Sequence, residues 1–92
     1  MTDLATVLIV DDEKHTRDGL RLSLEDDFDC YVASNAAEAM EMLKNDPIDV
    51  MLTDLRLGED DGMKLLEQAL ALPKPPVCIM MPASGSVDTA VE

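Results

Sequence analysis

Aromatic residues are nearly missing from this chain, which has one Tyr, one Phe and no Trp in 92 residues. With so few rings there is no platform on which successive bases could stack. Basic residues are scarce as well: 7 Lys and Arg stand against 20 Asp and Glu, a net charge of −13. That balance opposes direct binding of this segment to nucleic acid or to an anionic membrane. No apolar run approaches the ~20 residues a membrane helix needs. The opening Met1-Thr2-Asp3-Leu4 lacks the basic start and long apolar stretch of a signal peptide, so the expected location is cytoplasmic. Cysteine is limited to Cys30 and Cys78, both in strand-like runs. They are expected to be buried reduced thiols, not a disulfide or a metal pair. There is no internal repeat, linker or low-complexity tract. The apolar fraction, 47%, is enough for the core of one small domain spanning residues 1–92.

What is present is a strict alternation of strand and helix signals. Strands are expected at about 5–10, 30–33, 48–53 and 77–81. A first helix is expected over about 14–25, with Leu20 and Leu24 on its inner face. A second begins near Asn35, where Asn35 and Glu38 have the spacing of a capping box. Its apolar stripe is Ala36, Met40 and Leu43, and Pro47 closes the turn that follows. After a loop from Leu55 to Asp61, a third helix follows Gly62 with Met63, Leu66 and Leu70 as its stripe. Pro73, Pro75 and Pro76 end it, and residues 85–92 read as the start of a fourth helix capped by Ser86. Such alternation implies a parallel sheet with right-handed crossovers and helices on both faces.

Two strands end in acids. Val7-Leu8-Ile9-Val10 runs into Asp11-Asp12, and Ile48 to Thr53 runs into Asp54. Short runs of branched apolar residues suit strands buried on both faces. Sites in such sheets lie at the carboxyl ends of the strands. If these two strands are neighbours, Asp11, Asp12 and Asp54 converge on one crevice. Three carboxylates there repel one another unless a cation binds, and an all-oxygen donor set suits Mg²⁺. His15, near the start of an amphipathic helix, is read as a solvated residue and not as a phosphoryl carrier. Thr53 is assigned packing or loop orientation, and Glu59-Asp60-Asp61 is read as a solvated loop.

With these elements in place, the chain resembles the receiver domain of bacterial two-component response regulators, and most of all the receivers of nitrogen-regulation-type transcriptional activators. The resemblance rests on Val7 to Glu13, Asp49 to Leu57, Asp61-Gly62-Met63 and the tail Gly85 to Val91. It implies a flavodoxin-like sheet of order 2-1-3-4. It also implies that Asp54 is the phosphoacceptor, taking its phosphoryl group from a phosphohistidine of a sensor histidine kinase. By the same resemblance Asp11, Asp12, Asp54 and the backbone carbonyl of Arg56 hold Mg²⁺. A C-terminal output domain is implied for the parent protein. Such a domain is a signalling switch and not a turnover enzyme.

The chain departs from the family pattern at two places. Where receivers carry Ser or Thr at the end of the fourth strand, Pro82 stands here, with neither hydroxyl nor N–H. The nearest hydroxyl is that of Ser84, two residues off. The family's fifth strand, its Lys and its fifth helix would fall after Glu92. Without them one sheet face is expected to be covered by the first helix alone, leaving Val50, Leu52, Val77, Ile79 and Met81 partly uncovered. The fourth strand is then an open edge, and self-association through it is expected. The competing reading, from a different class, is a truncated or engineered receiver fragment acting as an assembly module. A dehalogenase-like phosphatase needs a second Asp two residues after its nucleophile, and here Glu13 follows Asp11 and Arg56 follows Asp54 at that spacing. A flavodoxin-like electron carrier needs a hydroxyl- and Gly-rich phosphate loop after its first strand, where Asp11-Asp12-Glu13 would repel the phosphate.

Overall fold

The computed structural model describes residues 4–57 and 60–81. Within them the strands are β1 (Thr6–Val10), β2 (Asp29–Ala33), β3 (Val50–Asp54), β4 (Arg56–Leu57), β5 (Asp60–Asp61) and β6 (Val77–Met81). The helices are α1 (Lys14–Leu24), α2 (Ala36–Asn45) and α3 (Gly62–Leu70). The main sheet is parallel with order β2-β1-β3-β6, the 2-1-3-4 arrangement expected from the sequence. The strand expected at 77–81 is β6 as it stands, and the other three shift a bound by one or two residues. The useful shift is that β3 includes Asp54, which pairs with Met81 of β6.

The register explains the core. Leu8 lies beside Tyr31 and Met51, and Met51 beside Cys78, so these side chains share one face. There they join Val10, Ala39, Leu57, Leu65 and Ala69 in the principal core, beneath α2 and α3. On the opposite face α1 packs over β1 and β2, with Leu20 and Leu24 half-buried beneath it. Both faces of β1 are therefore covered, and Leu8, Ile9 and Val10 are each 0% exposed. Among the described residues nothing covers the α1 face of β6: Val77 is 63% and Ile79 47% exposed.

Three expectations need correction. The third helix does not bury Met63 and Leu70, which are 47% and 53% exposed; it buries Gly62, Leu65 and Ala69. Two apolar stripes interleave along this helix, and the approach of its first residue to β3 selects the one with smaller side chains. The expected loop from 55 to 61 contains the antiparallel pair β4–β5, whose Leu57 is buried in the core. Cys30 and Cys78 are free thiols as expected, but half-buried. Pro82, Ser84 and the expected fourth helix lie outside the described residues.

Candidate functional site

The site is built where β1 and β3, neighbours at the centre of the sheet, come to their carboxyl ends. Asp11 follows the last residue of β1 and is 3% exposed. Its amide continues the ladder to the Ala33 carbonyl at 3.1 Å. Its Oδ1 accepts from the Glu13 amide at 2.9 Å, closing the turn into α1. Asp12, next in the chain, is exposed. Asp54 ends β3, half-buried, and its Oδ1 accepts from the Arg56 amide at 3.2 Å. Asp11, Asp12 and Asp54 each offer a carboxylate oxygen, and these oxygens lie within 4.8 Å of one another.

Burial raises the pKa of Asp11, and repulsion from Asp54 and Asp12 adds to it; the Glu13 amide and the Arg17 guanidinium oppose the rise. A convergent set of hard oxygen donors with an electrostatic excess is the donor chemistry of Mg²⁺ or a similar cation. The observed residues fit such an ion.

Neighbouring residues act on the site through the backbone. Arg17, one turn into α1, donates from Nη1 to the Asp11 carbonyl at 2.7 Å. Thr53, fully buried, donates from Oγ1 to the Asp54 carbonyl at 3.1 Å, so it packs and steadies the strand end. Asp60 and Asp61 are exposed but not idle. Asp60 accepts from the Ala36 amide at 3.1 Å at the start of α2, and Asp61 caps α3 by accepting from the Met63 amide at 2.9 Å. Sequence reasoning missed the contributions of Arg17, Asp60 and Gly62. For Arg17 and Asp60 the chain carried no local signal, because each partner lies on a different element or turn. Gly62 was visible only as part of an Asp-Gly pair. His15 is exposed, as expected.

A central parallel sheet with an acidic crevice at the ends of two adjacent strands defines a receiver-type α/β protein. Comparison with known proteins is specific: residues 7–92 match the response regulator receiver domain family. The chain belongs to that family. It is 40% identical over 87 residues to the response regulator protein PilR of Pseudomonas aeruginosa, covering 92% of this chain and 19% of PilR. The chain therefore spans about a fifth of that relative's length. Its structure is similar to a CheY-like receiver domain from Methanospirillum hungatei JF-1, with TM-score 0.83 and 29% identity, covering 97% of this chain and 72% of that one. It is also similar to the MaeR response regulator bound to beryllium trifluoride, with TM-score 0.79 and 26% identity, covering 96% and 77%.

Proposed function

We propose that these residues form one receiver domain that accepts a phosphoryl group on Asp54 from a phosphohistidine of a sensor kinase. The observation that carries this reading is the meeting of Asp11, Asp12 and Asp54 within 4.8 Å at the end of β3. In the transfer a carboxylate oxygen of Asp54 forms the new O–P bond. The P–N bond to the imidazole breaks, and the imidazole nitrogen takes up a proton. The Arg56 amide holds Oδ1 of Asp54, while Oδ2 accepts no hydrogen bond among the described residues and is the attacking oxygen. Asp11, Asp12, Asp54 and the Arg56 carbonyl would hold Mg²⁺. Bound there, the ion supplies the positive charge that lets a carboxylate approach phosphoryl oxygens. Positioning and charge stabilisation are most of what phosphoryl transfer asks of a protein.

The same reading places the chain in the cytoplasm, as the receiver of a longer regulator with a C-terminal output domain. Among the described residues no helix is long and apolar enough to cross a membrane. Pro82 has no hydroxyl for the phosphoryl group to pull on, so the signal passes weakly beyond β6. The second reading, an assembly module, draws on the exposed Val77 and Ile79. Addition of beryllofluoride with Mg²⁺ separates the two. The phosphoacceptor reading expects amide shifts centred on Asp11, Asp54 and Arg56 that are absent in Asp54→Asn. No shift in the unaltered protein, or equal shifts in both, would refute it.

A further inference from the structure

We propose that Gly62 is a positioning residue for phosphoryl transfer, setting the place of the Asp54 main chain by having no side chain; the proposal rests on the reading of Asp54 as phosphoacceptor. Gly62 is the first residue of α3 and is buried. Its amide donates to the Leu55 carbonyl at 3.0 Å, so the start of α3 is docked directly on the peptide that follows the acceptor. A Cβ built at Gly62 would overlap the Asp54 carbonyl oxygen. It would also lie 2.7 Å from the Leu55 carbonyl oxygen and 2.9 Å from its carbonyl carbon. All three are main-chain atoms, so no rotation of a side chain relieves the overlap. The φ of Gly62 lies outside the left-handed region, so space and not backbone conformation demands glycine.

The consequence falls on the acceptor. The Asp54 carbonyl that a methyl group would strike is the one steadied by Thr53 Oγ1 at 3.1 Å. The peptide beyond it leads to the Arg56 amide, which holds Asp54 Oδ1 at 3.2 Å. Asp11 and Asp12 follow β1, a different strand that gives none of the atoms nearest the built Cβ. Any added side chain therefore shifts Asp54 against its two acidic neighbours. Misplacement of a reacting group by about 1 Å can lower a rate on the order of 100-fold. By contrast Gly19, on α1, has nothing within 4 Å of its built Cβ and carries no such constraint.

The test uses acetyl phosphate with Mg²⁺. The Asp54 carboxylate forms an O–P bond, the P–O bond to acetate breaks, and acetate leaves. Rates are compared at saturating donor and Mg²⁺ for the unaltered protein, Gly62→Ala, Gly19→Ala and Ala69→Gly. Ala69 lies on the same helix, buried and remote from Asp54 in sequence, so Ala69→Gly destabilises α3 without the overlap. Each rate is normalised to the folded fraction, and an excluded osmolyte is added to refold any unstable variant. The expected result is at least a roughly tenfold lower rate per folded molecule in Gly62→Ala, with Gly19→Ala and Ala69→Gly near the unaltered rate. A normalised Gly62→Ala rate equal to the unaltered protein's overturns the proposal. So does an equal fall in Ala69→Gly, which would make the effect one of stability alone. If the unaltered protein takes up no phosphoryl group, or Asp54→Asn takes up as much, the acceptor reading itself fails and this one falls with it.

Discussion

At the scale of single residues, the site is held in tension by its own charge. Asp11 is buried, and Asp54 and Asp12 bear on it from close by. Like charges gathered without a cation destabilise the fold that gathers them. Asp11→Asn keeps an oxygen for the Glu13 amide while removing one charge. In the absence of divalent cations it should raise the stability by on the order of 1 kcal/mol, read from urea unfolding midpoints. In saturating Mg²⁺ the advantage should shrink or reverse, because a lost ligand weakens binding to the folded state. An unchanged or lower midpoint in metal-free buffer would show that the repulsion is relieved by other means. The strand-end acids were legible in the sequence because their chemistry and their position after an apolar run coincide. The reach of Arg17 back to the Asp11 carbonyl was not, since nothing at position 17 indicates which acceptor its guanidinium will find.

At the scale of elements, the helices show where pattern reading succeeds and fails. The start of α2 was legible: Asn35 caps it by accepting from the Glu38 amide at 2.9 Å. The return bond goes one residue further back than a simple box implies, from the Ser34 amide at 2.7 Å and Ser34 Oγ at 2.8 Å to Glu38. Those bonds from Ser34 lower the pKa of Glu38 below its ordinary 4.5. A depressed carboxyl contributes stability above its unfolded value and loses it as pH falls through the folded one. The difference in stability between the unaltered protein and Glu38→Gln should therefore be fully present above pH 4.5 and close in more acidic solution. A difference independent of pH would place the effect in packing and not in charge. The phase of α3 was not legible, because Met63-Leu66-Leu70 and Gly62-Leu65-Ala69 both have helical spacing. Only the docking of Gly62 on Leu55 decides between them. Leu65→Ala should cost about 2–5 kcal/mol, while Leu70→Ala should change stability by less than about 0.5 kcal/mol. Equal costs would put the helix in the other phase. The β4–β5 pair escaped the sequence reading because two-residue strands carry too few positions to show alternation.

At the scale of the whole molecule, the sheet order, the two-sided core and the acidic crevice follow from four apolar runs and the right-handed rule for crossovers. The less complete side is the α1 face of β6, where Val77 and Ile79 are 63% and 47% exposed. Among the described residues β6 is the edge of the sheet, and apolar strips beside such an edge favour pairing with another chain. Net charge of −13 opposes it, but salt screens charges beyond roughly 8 Å at about 0.15 M. These 92 residues on their own should sediment as a dimer or larger species at micromolar concentration in such salt, and Ile79→Lys should shift them toward monomer. A concentration-independent monomer would rule the association out. The most direct measurement on the molecule is the site of covalent modification. After treatment with acetyl phosphate and Mg²⁺ and trapping of the acyl phosphate, peptide mass spectrometry should find one added phosphoryl group, on the Asp54 carboxylate, and none on Asp54→Asn. Modification at any other residue, or undiminished modification of Asp54→Asn, would contradict the assignment of Asp54 as the acceptor.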